Sequence, residues 1–195
     1  MEYTSYQKSR NLSWEILINE GVTALPVSMT EICKKLEIDV ILTGSLGRSG
    51  DGKTLMLNGI PHVLLDETTS SERQRFTLAH EVGHILLGHV GKYNLVNREP
   101  SPNDNPIEQE ANVLASRLLA PACVLWALDI HSADEIAELC KISKAAAQFR
   151  AERMAVLYAR EQQFFKEKGK SCFLLSPLEQ QVYNQFQPFV KQRRN

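Results

Sequence analysis

The stretch Arg75-Phe76-Thr77-Leu78-Ala79-His80-Glu81-Val82-Gly83-His84-Ile85-Leu86-Leu87-Gly88-His89 decides how the chain is read. It carries the pattern H-E-x-x-H. The apolar residues Phe76, Ala79, Val82, Leu86 and Leu87 recur around it at a helical rather than a strand period. Ser70 and Ser71 can cap the helix start, and Gln74 stands three residues beyond Ser71, as a capping box requires. Residues four apart share a helix face, so His80 and His84 present two imidazoles to one point. Zinc suits that arrangement, because two nitrogens at short range leave tetrahedral positions for a third ligand and a water. Glu81 is turned about 100° round the helix from His80, so it can act on water without joining the coordination sphere. The plainer reading is a buried amphipathic helix with two satisfied histidines.

A third ligand has to come from elsewhere in the chain. Residues 90–106, with Pro100, Pro102 and Pro106, read as a long loop that could border a cleft. A second helix starts near Ile107 and runs towards Ala120-Pro121, carrying Glu108 and Glu110. Glu108 shares a face with Ala111, Asn112 and Ala115, whose small side chains would let this helix approach a metal closely. A carboxylate there would complete two His, one Glu and one water, the open site that a hydrolytic zinc needs. Asn112, one turn on, could hydrogen-bond a zinc-binding imidazole. Glu110 shares its face with Leu114 and Arg117 and reads as an ion-paired surface carboxylate, so Glu108 is favoured over it. His89 falls one residue short of the H-E-x-x-H-x-x-G-x-x-H spacing and reads as a residue behind a ligand or at the helix end.

The segment before the helix holds a decoy. Gly47-Arg48-Ser49-Gly50-Asp51-Gly52-Lys53-Thr54 matches the phosphate-loop pattern letter for letter. A phosphate loop needs a helix to begin at the Lys-Thr. Here Leu55-Met56-Leu57-Asn58-Gly59-Ile60-Pro61 follows, a short strand broken by Gly and Pro. The gap to Val63-Leu64-Leu65-Asp66-Glu67 is too short for a helical crossover. Two or three antiparallel strands with glycine-rich turns are expected instead of an NTPase site. Upstream, residues 1–9 read as a tail and Leu12, Trp14, Leu17 and Ile18 as a first helix ending near Gly21. A short helix with Ile32, Cys33 and Leu36, capped by Ser28 or Thr30, then precedes a strand at Asp39-Val40-Ile41-Leu42.

Composition narrows the class. The 195 residues suit one domain or one domain with a small appendage, and 43% hydrophobic with 23% charged residues describes an ordinary soluble globular protein. No apolar run approaches the ~18 residues of a membrane helix, and Met1-Glu2-Tyr3-Thr4-Ser5-Tyr6-Gln7-Lys8 lacks the features of a secretory signal. Cys33, Cys123, Cys140 and Cys172 are scattered, which fits reduced core thiols in a cytoplasmic protein. The net charge of −1 hides an asymmetry, −8 over residues 1–140 and +7 over residues 141–195. A basic surface of that kind can meet its own chain, an acidic partner or nucleic acid, or be a solvated face only.

Residues 126–170 read as helical. Ser132-Ala133-Asp134-Glu135-Ile136-Ala137-Glu138-Leu139-Cys140-Lys141 is a capped helix, Ile142-Ser143 a turn, and Lys144-Ala145-Ala146-Ala147-Gln148-Phe149-Arg150 the start of the next helix. The pair resembles a helix-turn-helix, but three alanines offer little for base readout, so a structural or protein-docking unit is preferred to a DNA reader. His131 reads as a surface residue. The last 25 residues, with Phe173, Leu174, Leu175, Tyr183, Phe186 and Phe189, are expected to pack back on the body, with Lys191, Arg193 and Arg194 in a frayed tail.

Residues 75–84, Leu87-Gly88-His89, Glu108-x-x-Ala111-Asn112 and Leu118-Leu119-Ala120-Pro121 together resemble the ImmA/IrrE family of bacterial metallo-endopeptidases, over roughly residues 10–125. Leu114 stands where that family usually has Phe, and Ala120-Pro121 replaces the commoner Met-Pro; both are conservative packing changes. The resemblance implies that His80, His84 and Glu108 bind zinc, that Glu81 is the general base, and that the substrate is a helix-turn-helix repressor. The expectation is a helix-rich α+β zincin-like domain with a small antiparallel sheet, residues 1–125. A helical, helix-turn-helix-like region with a basic tail, residues 126–195, is expected to pack on it. An oxyanion donor is needed besides the metal, with His89, His62 and Tyr93 as candidates. A peptide substrate could pair with an exposed strand of the sheet. The rival reading is a zinc-binding regulatory module without proteolysis, its metal fully protein-ligated.

Overall fold

Asn58 and Gly59 take left-handed backbone, φ 51° and 82°, and reverse the chain between strands β2 (Gly52–Leu57) and β3 (Ile60–Asp66). An Asn-Gly pair supplies what a two-residue hairpin turn demands. The computed structural model describes residues 2–44, 46–47, 50–90, 105–174 and 176–194. β2 and β3 pair antiparallel, with Thr54 opposite Val63 and Gly52 opposite Leu65. β1 (Asp39–Thr43) lies on the other edge of β3 and runs parallel to it, Val40 opposite Val63, which gives the order β1-β3-β2. The sheet is therefore mixed, not wholly antiparallel as expected. A parallel pair needs a crossover, and here β2 itself serves as the crossover in place of a helix. Lys53 and Thr54 lie inside β2 with no helix beginning there, so the phosphate-loop geometry is absent from the described residues; Arg48 and Ser49 lie outside them.

Side chains alternate across a strand. Thr54, Val63 and Leu65 therefore share one face, all buried, and helix α3 (Ser71–Leu86) packs against β2 and β3. The approach of β2 is close: a Cβ at Gly52 would collide with Thr77 Cγ2 and lie 3.3 Å from Glu81 Cγ. Ser70, not Ser71, caps α3, its hydroxyl accepting from the Arg73 amide at 3.3 Å. Gln74 completes no box with Ser71; its amide donates to the Asp66 and Thr69 carbonyls and ties the helix start to the end of β3. Helix α2 (Met29–Lys35), capped by Ser28, buries Ile32 and Cys33 and packs on α3 and β1. These elements lie in a compact unit of Met1–Ser13 and Ser28–Ala115, which also takes in the first part of helix α4 (Pro106–Leu119).

The other unit, Trp14–Val27 and Ser116–Asn195, is helical among its described residues. It holds α5 (Ala122–Ala127), α6 (Ala133–Cys140), α7 (Lys144–Lys168), α8 (Pro177–Gln185) and α9 (Gln187–Arg194). The expected cap at Ser132 is a capping box with Glu135, Lys141 turns the chain in a left-handed conformation (φ 52°), and Ser143 caps α7. Trp126 stacks on Phe173 at 4.9 Å between ring centroids, and Phe186 and Val182 are fully buried. Gln185 Nε2 donates to the carbonyls of Leu17 and Val22 at 2.7 and 2.6 Å.

Two expectations about the ends need correction. Helix α1 (Tyr3–Asn19) already includes most of the supposed tail, because helix propagates from the apolar half into the polar first turns. Lys191, Arg193 and Arg194 are helical in α9 rather than frayed, and Leu175 lies outside the described residues. The four cysteines are buried thiols that form no disulfide; burial pushes the Cys33 thiol up to about 11. Among the described residues no helix is long and apolar enough to cross a membrane. The helix-rich α+β architecture expected from the sequence is the one observed.

Candidate metal centre

His80 and His84 stand one turn apart on α3, and their Nε2 atoms are 2.9 Å from each other. Glu108 reaches the same point from α4, with Oε2 3.1 Å from His80 Nε2 and Oε1 3.4 Å from His84 Nε2. Their candidate ligand atoms lie within 4.8 Å of one another. His84 is fully buried, and the side chains of His80 and Glu108 are only 11% and 14% exposed. The helices can come this close because Gly83 faces Ala111, where a Cβ on Gly83 would lie 3.3 Å from the Ala111 Cα.

The chemistry of the three atoms fits a cation. His80 Nδ1 is 2.9 Å from Asn112 Oδ1, an acceptor, so the ring hydrogen sits on Nδ1 and leaves Nε2 bare. A bare imidazole nitrogen, a second imidazole and a carboxylate facing one another out of water call for a positive charge between them. Zinc bonds of about 2.0–2.2 Å at tetrahedral angles put neighbouring donors roughly 3.3 Å apart, close to the separations here. When protonated at both nitrogens, the His80 ring, and then the His84 ring, can hydrogen-bond to Glu108, and this holds its carboxyl well below the usual carboxylate range. It is thus ionised, the form in which a carboxylate ligates.

Glu81, beside His80 in the sequence, is fully buried. Its Oε2 accepts a hydrogen bond from the Thr54 hydroxyl at 2.7 Å, and Gly52 in the same strand covers it. No local sequence signal ties Thr54 to this site, because it sits in the phosphate-loop look-alike. Glu110 is not the ion-paired surface carboxylate that its helix face suggests: its Oε2 lies 3.2 Å from Nε2 of the buried His89. His89 Nδ1 in turn lies 3.0 Å from His84 Nδ1. Burial, and then the neighbouring His84, push the His89 imidazole below its ordinary value.

The other histidines are elsewhere. His62 alternates with Val63 and so points to the sheet face away from α3, where it contacts Asp39 at 3.1 Å. His131 is a surface residue of the helical unit, paired with Asp129 at 2.9 Å. Tyr93 and the rest of residues 91–104, within the stretch expected to form a loop, lie outside the described residues. Residues 33–152 match the family Peptidase_M78, described as the IrrE N-terminal-like domain. No curated protein matches the chain at a significant level.

Proposed function

The chain belongs to the Peptidase_M78 (IrrE N-terminal-like) family, a family of metallopeptidases, and on that premise we propose that it is a zinc-dependent, site-specific endopeptidase. His80, His84 and Glu108 would hold the ion. Its Lewis acidity, which activates water and polarises a peptide carbonyl, is what the side chains themselves lack. Glu81 accepts the proton of the attacking water and passes it to the nitrogen of the leaving amine. Thr54 keeps the Glu81 carboxylate in one orientation through that proton transfer. Asn112 keeps the His80 ring in the tautomer with Nε2 bare.

The observation that carries this reading is the donor count. Among the described residues three side chains, not four, make up the group. Three protein ligands leave a position for water or substrate, as catalytic zinc needs, whereas a structural zinc is closed by four. The substrate is proposed to be a helix-turn-helix repressor in the cytoplasm, with residues 1–125 as the peptidase part and residues 126–195 as a docking part. Phe149, 75% exposed, stands on the first turns of α7, where a DNA reader would carry polar groups. That favours a protein partner over nucleic acid.

The test is to incubate zinc-loaded chain with helix-turn-helix repressors of its own host and map new termini by mass spectrometry. Wild type should cut one repressor at one site. Glu81→Gln should keep its zinc and cut nothing; cleavage by Glu81→Gln at the wild-type rate would refute the assignment of the base.

A further inference from the structure

We propose that Glu110, acting through His89, fixes which nitrogen of His84 is bare, and is thereby a positioning residue of the metal centre. The inference rests on the metal reading above. Its basis is the direction of a buried hydrogen-bond chain. Glu110 Oε2 lies 3.2 Å from His89 Nε2, and His89 Nδ1 lies 3.0 Å from His84 Nδ1.

A carboxylate offers only lone pairs, so the Glu110 contact requires a hydrogen on His89 Nε2. A neutral ring with its hydrogen on Nε2 has a lone pair on Nδ1. The hydrogen between the two Nδ1 atoms then belongs to His84, and His84 Nε2 is left bare towards His80 and Glu108. The reverse direction puts the lone pair of His89 Nε2 against those of Glu110. It also places a hydrogen on His84 Nε2, where a metal has to bind. Side chains only 7% and 17% exposed leave little water to relieve such a clash.

The backbone is built to bring His89 to this place. Gly88 takes a left-handed conformation, φ 74°, just beyond the end of α3, and the His89 amide donates back to the His84 carbonyl at 2.9 Å. The Leu87-Gly88-His89 stretch thus folds the ring of His89 against that of His84, with 5.1 Å between centroids. Two residues of α4 then serve the two ligands differently. Asn112 gives His80 a neutral acceptor, while Glu110 gives His84 a charged one through a second imidazole.

The test uses the full chain labelled with nitrogen-15, without metal and loaded with zinc. Long-range proton–nitrogen spectra should show His89 carrying its hydrogen on Nε2 with Nδ1 bare, in both forms. Glu110→Ala should lower zinc affinity about 10–100-fold, measured by chelator competition, with the helical circular-dichroism signal unchanged. Glu110→Gln should lose less, because its amide oxygen can still accept. A wild-type His89 protonated on Nδ1 would overturn the proposal, as would a change of no more than about twofold in Glu110→Ala. If Glu110→Ala does not fold, the wild-type spectrum decides alone. A wild type with these tautomers but no zinc uptake would reject the metal reading and uphold the hydrogen-bond direction.

Discussion

The hydroxyl of Thr54 donates to Glu81 Oε2 over 2.7 Å, joining the middle of strand β2 to the acid of the H-E-x-x-H helix. Both residues are buried, so the bond forms where the local dielectric is low. A hydrogen bond to a charged group contributes about 1.5–3 kcal/mol, and losing it in the transition state would slow a reaction roughly 10–100-fold. Thr54→Val, of similar shape, should therefore cut peptide cleavage by that factor and leave zinc content unchanged. Thr54→Ser should restore most of the rate. Equal rates in Thr54→Val and wild type would show that the orientation of Glu81 is set without this hydroxyl.

Gly83 permits the approach of α4 that brings Glu108 to the two histidines. Gly83→Val would place branched carbons against the Ala111 backbone, where a single Cβ already meets Cα at 3.3 Å. Overpacking of this kind costs about 1–3 kcal/mol. Thermal unfolding should show a lowered midpoint, and zinc competition a weakened site. A variant as stable as wild type and equally tight for zinc would mean that the helices can move apart without disturbing the ligands.

Asn112 supplies the acceptor that orients His80. Asn112→Ala should weaken zinc binding by roughly 10–100-fold, and Asn112→Asp, which keeps an oxygen acceptor, should recover most of it. Chelator competition on the three proteins checks the order.

How much of this was legible beforehand depends on whether the signal was local. The period of α3, the helical spacing of His80 and His84 and the small face beside Glu108 are properties of single helices, and the sequence carried them openly. That all three side chains converge followed from two such helices together. The parallel pairing of β1 with β3 was hidden, because strand partners are chosen by tertiary packing and β1 is too short to advertise its neighbour. Thr54–Glu81 and His89–Glu110 are contacts between residues far apart in the chain. Each partner had a plausible local role, Thr54 in a phosphate loop and Glu110 on a surface. The Gly83–Ala111 contact could have been suspected, since a glycine inside a metal helix costs helix propensity and calls for a reason.

In the helical unit, the Tyr158 hydroxyl donates to the Ile130 carbonyl at 3.0 Å, and its ring stacks on His131. Burial, aided by Asp129 and Glu135, pushes its pKa up to about 12. In the unfolded chain it titrates near ~10. The unfolded state thus loses its proton first, so this contribution to stability is full below about pH 10 and is lost as pH rises towards about 12. Urea unfolding at about pH 9 and about pH 11.5 should show wild type losing more stability across the interval than Tyr158→Phe. Equal losses would place the alkaline sensitivity at other groups.

The central claim is that His80, His84 and Glu108 form one zinc site, and zinc per chain tests it most directly. Elemental analysis of carefully purified wild type and Glu108→Ala is predicted to give about one zinc in the first and a large loss in the second. No zinc in wild type, or equal zinc in both, would contradict the three-ligand site.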